Sequence, residues 1–197
     1  EALAKTTHLR DLDLTWHYIG RVQSNKTRHI ATHFEWLHTL DRDKIASRLS
    51  EQLPTGRRLQ CLVQVNIDAD PAKAGVHVDD VRSLVHACER YQNLQLRGLM
   101  TILDPQSDPA ASYRSMAQLA ARIRDDLRPA AADRFDCLSM GMTADLEAAV
   151  AAGATHIRIG TALFGPRPSG VDAPSNAQAN SDADAVVDDK RHDRNER

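Results

Sequence analysis

Strand-like and helix-like segments take turns along this chain from Trp16 to Gly165, and that alternation leaves few folds open. Strands separated by helices cannot pair as tight hairpins; they line up in parallel, with helices packed on the sheet. WHYIG (16–20) reads as a short strand stopped by glycine. Ser24 or Asn25 is placed to cap a helix carrying Ile30, Ala31 and Phe34. A second strand follows over 35–40, and Asp41 then stands where it can cap a helix with Ile45, Ala46, Leu49 and Leu53 on one face. The clearest strand is LQCLVQVNI (59–67). Cys61, Val63, Val65 and Ile67 share one side; Gln60, Leu62, Gln64 and Asn66 share the other. Val81, Leu84, Val85 and Cys88 follow at helical spacing. LQLRGLMTI (94–102) is the next strand, and Met116, Leu119, Ala120, Ile123 and Leu127 mark the next helix, which stops at Pro129. With two more strands before Gly165 the chain carries six, two short of a closed (β/α)8 TIM-type barrel. An open doubly wound sheet competes with the barrel, but no GxGxxG follows the first strand.

The last two strands enclose the stretch with most chemical content, DCLSMGMTADLEAAVAAGATHIRIGTALFG (136–165). Ser139 lies at the C-terminal end of one strand, with Met140, Gly141 and Met142 after it and Thr143 placed to cap the helix. Asp145 and Glu147 fall in that helix's first turn, where the dipole favours acids. Leu146, Ala149 and Val150 are its buried side, and Met140 and Met142 are expected to pack. In HIRIG, Ile157 and Ile159 should face the helices while Arg158 and Gly160 face inward. An inward guanidinium is paired with a carboxylate, hydrated or turned toward a ligand. Gly160 and Thr161 leave the strand with little bulk, so backbone N–H groups and a hydroxyl are available to an anion. Barrel sites gather at strand C-termini, often with phosphate held after the last two strands. Ser139, Gly160 and Thr161 occupy those places.

Other constellations are weaker. His29 and His33 stand at i, i+4 on a helix, but no third ligand is evident, and solvated or capping roles account for them. Asn66 is an interior amide, and Lys26 and Lys73 are loop lysines just past strands. Three cysteines, Cys61, Cys88 and Cys137, form no CxxC pair and read as buried thiols suited to a reducing cytoplasm. A net charge of −2 gives no electrostatic footprint for nucleic acid. No apolar run approaches the roughly 18 residues of a membrane span. From Asp172 onward seven acids meet four bases, net −3, which leaves +1 for the rest. Residues 166–197 read as a disordered tail. The expected domains are a partial barrel over 1–165, strands 3–8, and this tail.

WHYIGRVQSNKTR, QVNIDADPAKAGV, LRGLM, LSMGMTADLEAAVAAG and RIGTALFG together resemble the YggS/PROSC family of pyridoxal 5′-phosphate (PLP) homeostasis proteins. The resemblance covers about residues 1–165. It implies an α/β barrel of the alanine racemase N-terminal type, with PLP at the strand C-termini. It further implies a carrier and buffer of PLP in the cytoplasm, without catalytic turnover, monomeric, with PLP-dependent apo-enzymes as partners. By resemblance Ser139, Gly160 and Thr161 would hold the phosphate, and Arg158 would approach the pyridine nitrogen. An arginine there disfavours a protonated ring. The family's cofactor-linked lysine sits in an AVSKT-like first strand and its second strand in a GENYVQE-like motif. Neither occurs in these residues, and EALAK would follow directly. The expectation is thus an N-terminally truncated member. A racemase-like enzyme and a degenerate chain that no longer binds PLP are the alternatives.

Overall fold

The computed structural model describes residues 8–9 and 11–165. The helix-like start of the chain and the tail over 166–197 lie outside them. Five parallel strands run in the order β1 (His17–Tyr18), β2 (Trp36–Leu40), β3 (Leu59–Asn66), β5 (Leu94–Met100) and β6 (Cys137–Ser139). A two-residue strand, β4 (Val76–His77), pairs with the end of β3; the turn-rich loop around it gave no sign of it in the sequence. The helices are α1 (Thr27–His33), α2 (Asp43–Gln52), α3 (Val81–Cys88), α4 (Pro109–Asp126), α5 (Pro129–Ala132), α6 (Leu146–Ala151) and α7 (Thr161–Phe164).

Strand alternation divides the sheet as its sequence predicts. Cys61, Val63 and Val65 of β3 join Ile45, Leu49, Val81, Val85 and Met116 in the main core under the helices. Leu62, Met100 and Cys137 pack with Trp36 on the opposite side. That second side is concave. β2 and β6 lie three strand spacings apart in the sheet, about 14 Å if it were flat. Yet His38 Nδ1 on β2 meets Ser139 Oγ on β6 at 2.9 Å. The sheet is therefore curled into a half-barrel whose interior brings the inner side chains of distant strands together. All three thiols are free and buried. No helix among the described residues is long and apolar enough to cross a membrane.

Several local expectations are corrected. Ser24 and Asn25 lie in a 3-10 turn that leads into α1, where Thr27 Oγ1 donates to the Ser24 carbonyl. Arg42, not Asp41, is the N-cap of α2, and the Asp41 carboxylate binds the Arg42 guanidinium at 2.7 Å instead. Thr143 does not cap α6; Asp145 stands at that position. Val150 is exposed because the six-residue α6 buries only Ala149. The segment after it forms no regular strand. Thr155 Oγ1 takes the Leu138 N–H, and the chain then keeps a single bridge to β6, Ser139 to His156. Ile157, expected to face the helices, is exposed, and so is Met142 beside the turn.

One glycine is required by the sheet itself. β5 carries a bulge at Arg97, and Gly98 follows with φ +146°, where a Cβ would sit 1.9 Å from the Cys137 carbonyl oxygen on β6. The bulge places Arg97 over Trp36, 5.2 Å from the ring centroid, and onto Asp136, where Nε donates to Oδ1 at 3.0 Å and Nη2 to Oδ2 at 2.8 Å. Gly98→Ala is expected to cost about 3 kcal/mol or more, read from the urea midpoint, since backbone on both strands must part. A midpoint equal to the parent's would contradict this close approach.

Candidate functional site

Of the residues singled out from the sequence, Ser139 at the end of β6 and Arg158 meet directly. Its Nη1 donates to Ser139 Oγ at 3.0 Å and its Nη2 to the Thr101 carbonyl at 2.8 Å. Its own N–H donates to the Gly141 carbonyl, which fixes the segment beside β6. No carboxylate among the described residues forms an ion pair with it, so a salt bridge does not explain its inward position. Burial lowers its pKa, while Tyr113 and Asp145 nearby act the other way. The result is a half-buried cation bonded, among the described residues, only to neutral oxygens.

Gly160 is exposed, and a Cβ there would meet nothing within 4 Å. Its carbonyl accepts from the Leu163 N–H, and no group among the described residues takes its own N–H. Thr161 opens α7, four residues long; its side chain lies outside the described residues. Ser139 is fully buried, and its hydroxyl lies between Arg158 and His38.

The turn after β6 is braced from behind. Tyr113 of α4 donates its hydroxyl to Asp145 at 2.8 Å and accepts the Gly141 N–H at 3.1 Å. The other Asp145 oxygen takes the Met142 N–H at 2.6 Å. Gly141 has φ +91°, and a Cβ on it would strike Ala149 Cβ at 2.5 Å. The Tyr113 hydroxyl is held protonated by burial and by the Asp145 carboxylate, so it acts as donor and acceptor at once.

Beneath Ser139 the interior holds imidazoles. His38 Nε2 lies 2.8 Å from His17 Nδ1, and His17 stacks on Trp36 with ring centroids 5.2 Å apart. His156 sits 5.8 Å from His38 and 6.0 Å from His17 by ring centroid. Burial first, then the neighbouring His17, His156 and Arg158, push the His38 pKa down to about 3. Burial lowers His17 and His156 as well. The charged forms are disfavoured, and all three rings are neutral near pH 7.

Other sequence candidates lie elsewhere. Asn66 ties down its own loop, donating to the Asp70 carbonyl at 2.7 Å and accepting the Asp70 N–H. Lys73 lies 3.7 Å from Asp104 and 3.9 Å from Asp68. Lys26 is exposed at the end of its turn. His33 bonds the His29 carbonyl rather than sharing a metal, and no metal-binding group of three ligands occurs among the described residues. His17, His38, Thr101 and Tyr113 were not singled out from the sequence. Alternation in WLHTL marks His38 as an inner-face residue beside Trp36, a signal that pointed to it; the Thr101 carbonyl and the Tyr113 hydroxyl carry no such mark.

Two outcomes follow from this geometry. Tyr113→Phe removes two hydrogen bonds and leaves the buried Gly141 N–H without an acceptor. It should lower stability by about 1–3 kcal/mol, measured by urea unfolding. A change within error would show that the brace carries no energy. The depressed His38 pKa sets a pH window. Unfolded chains take up a proton at this histidine below about pH 6.5, while the folded chain resists down to about pH 3. Stability from this group is therefore complete above that upper value and declines by about 1.4 kcal/mol per pH unit below it. An NMR titration should keep the His38 ring neutral to about pH 4; protonation near the ordinary imidazole value would contradict this.

Comparison with known proteins agrees on one family. The alanine racemase N-terminal domain profile matches residues 1–168. The pyridoxal phosphate homeostasis protein of Pseudomonas aeruginosa is 49% identical over 175 residues, 88% of this chain and 74% of that protein. Its namesake in Vibrio cholerae is 46% identical over 81% of this chain and 67% of its own length. PipY of Synechococcus elongatus, solved with PLP bound, superposes with a TM-score of 0.74 at 37% identity, covering 83% of this chain and 77% of PipY. An alanine racemase of Clostridium difficile, 14% identical, shares the fold with a TM-score of 0.63 over 85% of this chain and 44% of its own. The chain belongs to the pyridoxal phosphate homeostasis protein family, built on the alanine racemase N-terminal domain.

Proposed function

We propose that this chain binds pyridoxal 5′-phosphate and serves PLP homeostasis as a carrier and buffer, without catalytic turnover. The observation that carries this reading is Arg158. It is an inward cation with no carboxylate partner among the described residues, next to the open backbone of Gly160. The names of the relatives and the PLP-bound PipY support it.

The residues present fit a phosphorylated pyridine. Gly160 leaves space where a side chain would stand, and its N–H is free among the described residues. In this reading Gly160 and Thr161 hold the phosphate through backbone N–H groups, and Ser139 contributes its hydroxyl. Arg158 turns one of its remaining N–H groups toward the ring nitrogen. A guanidinium offers five donors, and Ser139 and Thr101 use two. Bound PLP supplies an electron-withdrawing ring, and an arginine at its nitrogen keeps that nitrogen unprotonated and the withdrawal weak. The Tyr113–Asp145 brace fixes the turn from which Ser139 and Gly141 are presented. PLP-dependent apo-enzymes are the partners this role calls for, and the cytoplasm its place.

Equilibrium dialysis tests the reading. PLP should bind more tightly than pyridoxal, which lacks the phosphate. Arg158→Ala should weaken PLP about tenfold or more, the worth of one charge-assisted hydrogen bond. Equal affinity for PLP and pyridoxal would sink the phosphate site. Formation of D-alanine from L-alanine by the PLP-loaded chain would sink the carrier role in favour of a racemase.

A further inference from the structure

The Ser139 hydroxyl has three bonding directions, one hydrogen and two lone pairs. Arg158 can only donate, so its Nη1 occupies one lone pair, 3.0 Å away. His38 Nδ1, at 2.9 Å on the other side, either receives the hydroxyl hydrogen or donates to the second lone pair. His38 is neutral, so only one of its nitrogens carries hydrogen. Its Nε2 faces His17 Nδ1 at 2.8 Å, where one of the pair must donate. These constraints leave two arrangements. In the first, Ser139 donates to His38 Nδ1, His38 Nε2–H donates to His17 Nδ1, and both imidazoles carry hydrogen on Nε2. In the second every bond runs the other way. His17 Nδ1–H donates to His38, His38 Nδ1–H donates to Ser139, and the serine hydrogen is turned out of the line.

Without a ligand the first arrangement prevails. Ser139 is fully buried, and among the described residues its hydroxyl has no partner but His38 and Arg158. A hydrogen turned away from His38 would be buried without an acceptor. The cation also favours lone pairs toward itself and hydrogen away. A phosphate oxygen bonded to Ser139 reverses this preference, because it can only take the hydroxyl hydrogen.

We propose that His38, backed by His17, is the positioning residue that aims the Ser139 hydroxyl, and that phosphate binding switches both imidazoles from the Nε2–H to the Nδ1–H form. This rests on the phosphate-site reading above. The switch conserves protons. Ser139 passes its proton to His38 Nδ1, His38 Nε2 passes one to His17 Nδ1, and His17 Nε2 releases one to water. Ser139 regains a proton from water at the ligand side. His17 is only half-buried, so its outer nitrogen has a path to solvent.

The test is the long-range proton–nitrogen NMR spectrum of the imidazoles in the full chain, assigned with His38→Gln and His17→Gln. The free chain should show His38 and His17 both as Nε2–H. Saturating PLP should convert both to Nδ1–H and shift the Gly160 amide, whereas pyridoxal should leave both unconverted. Ser139→Ala should abolish the conversion, and Ser139→Thr, which keeps a hydroxyl, should retain it. If PLP moves the Gly160 amide while the tautomers stay, or if pyridoxal or the alanine variant converts them equally, the positioning role is wrong and the phosphate site stands. If PLP binds nowhere near Gly160, the site and the positioning role fall together.

Discussion

A guanidinium held by neutral oxygens sets the terms for this interior. Arg158 leans on the Thr101 carbonyl at the end of β5 and on the Ser139 hydroxyl at the end of β6. Both must arrive together, so the two strands have to approach closely and their ends stay level. Gly98 allows that approach, and the Tyr113–Asp145 brace holds the turn that follows. The cation also helps keep His38 below it uncharged. An internal carboxylate would neutralise Arg158. Its lack of an ion-pair partner among the described residues, which costs stability, keeps its charge available.

The same arrangement separates fold from activity. Alanine racemases share the fold at 14% identity, whereas the relatives at 40–49% identity are pyridoxal phosphate homeostasis proteins. A half-barrel of parallel strands provides strand ends and little else; side chains at those ends decide the chemistry. Here Arg158 bonds a hydroxyl and a backbone carbonyl, with neutral imidazoles and the Tyr113–Asp145 pair close by.

Much of this was legible in the sequence. The period-two pattern of LQCLVQVNI gave both sides of β3, because a strand buried on both sides still alternates between two environments. Ser139 and Gly141 marked the end of β6, and Arg158 stood out as a charge in an apolar run, although the segment that carries it forms no regular strand. What the sequence hid was pairing across distance. Thr101 contributes a carbonyl, which every residue has. Tyr113 sits on a helix 28 residues before the Gly141 it supports. His38 reaches Ser139 only because the sheet curls, and curvature comes from the bulge at Arg97 and from strand twist, which leave little trace in hydrophobic pattern. Caps also slipped by a residue or two: at α2 Asp41 pairs with Arg42 instead of the helix end, and at α6 Asp145 stands where Thr143 was expected.

The buried cysteines have a consequence of their own. Burial raises all three thiols, with Cys88 at about 12 and Cys137 at about 11, so at neutral pH they are protonated and shielded. Thiolates, not thiols, react. Cys61 lies under the helices and Cys137 on the concave side, so a thiol reagent reaches either only when the sheet opens there. Modification rates at these positions would time the opening of the outer and inner layers of the half-barrel separately, with no probe added.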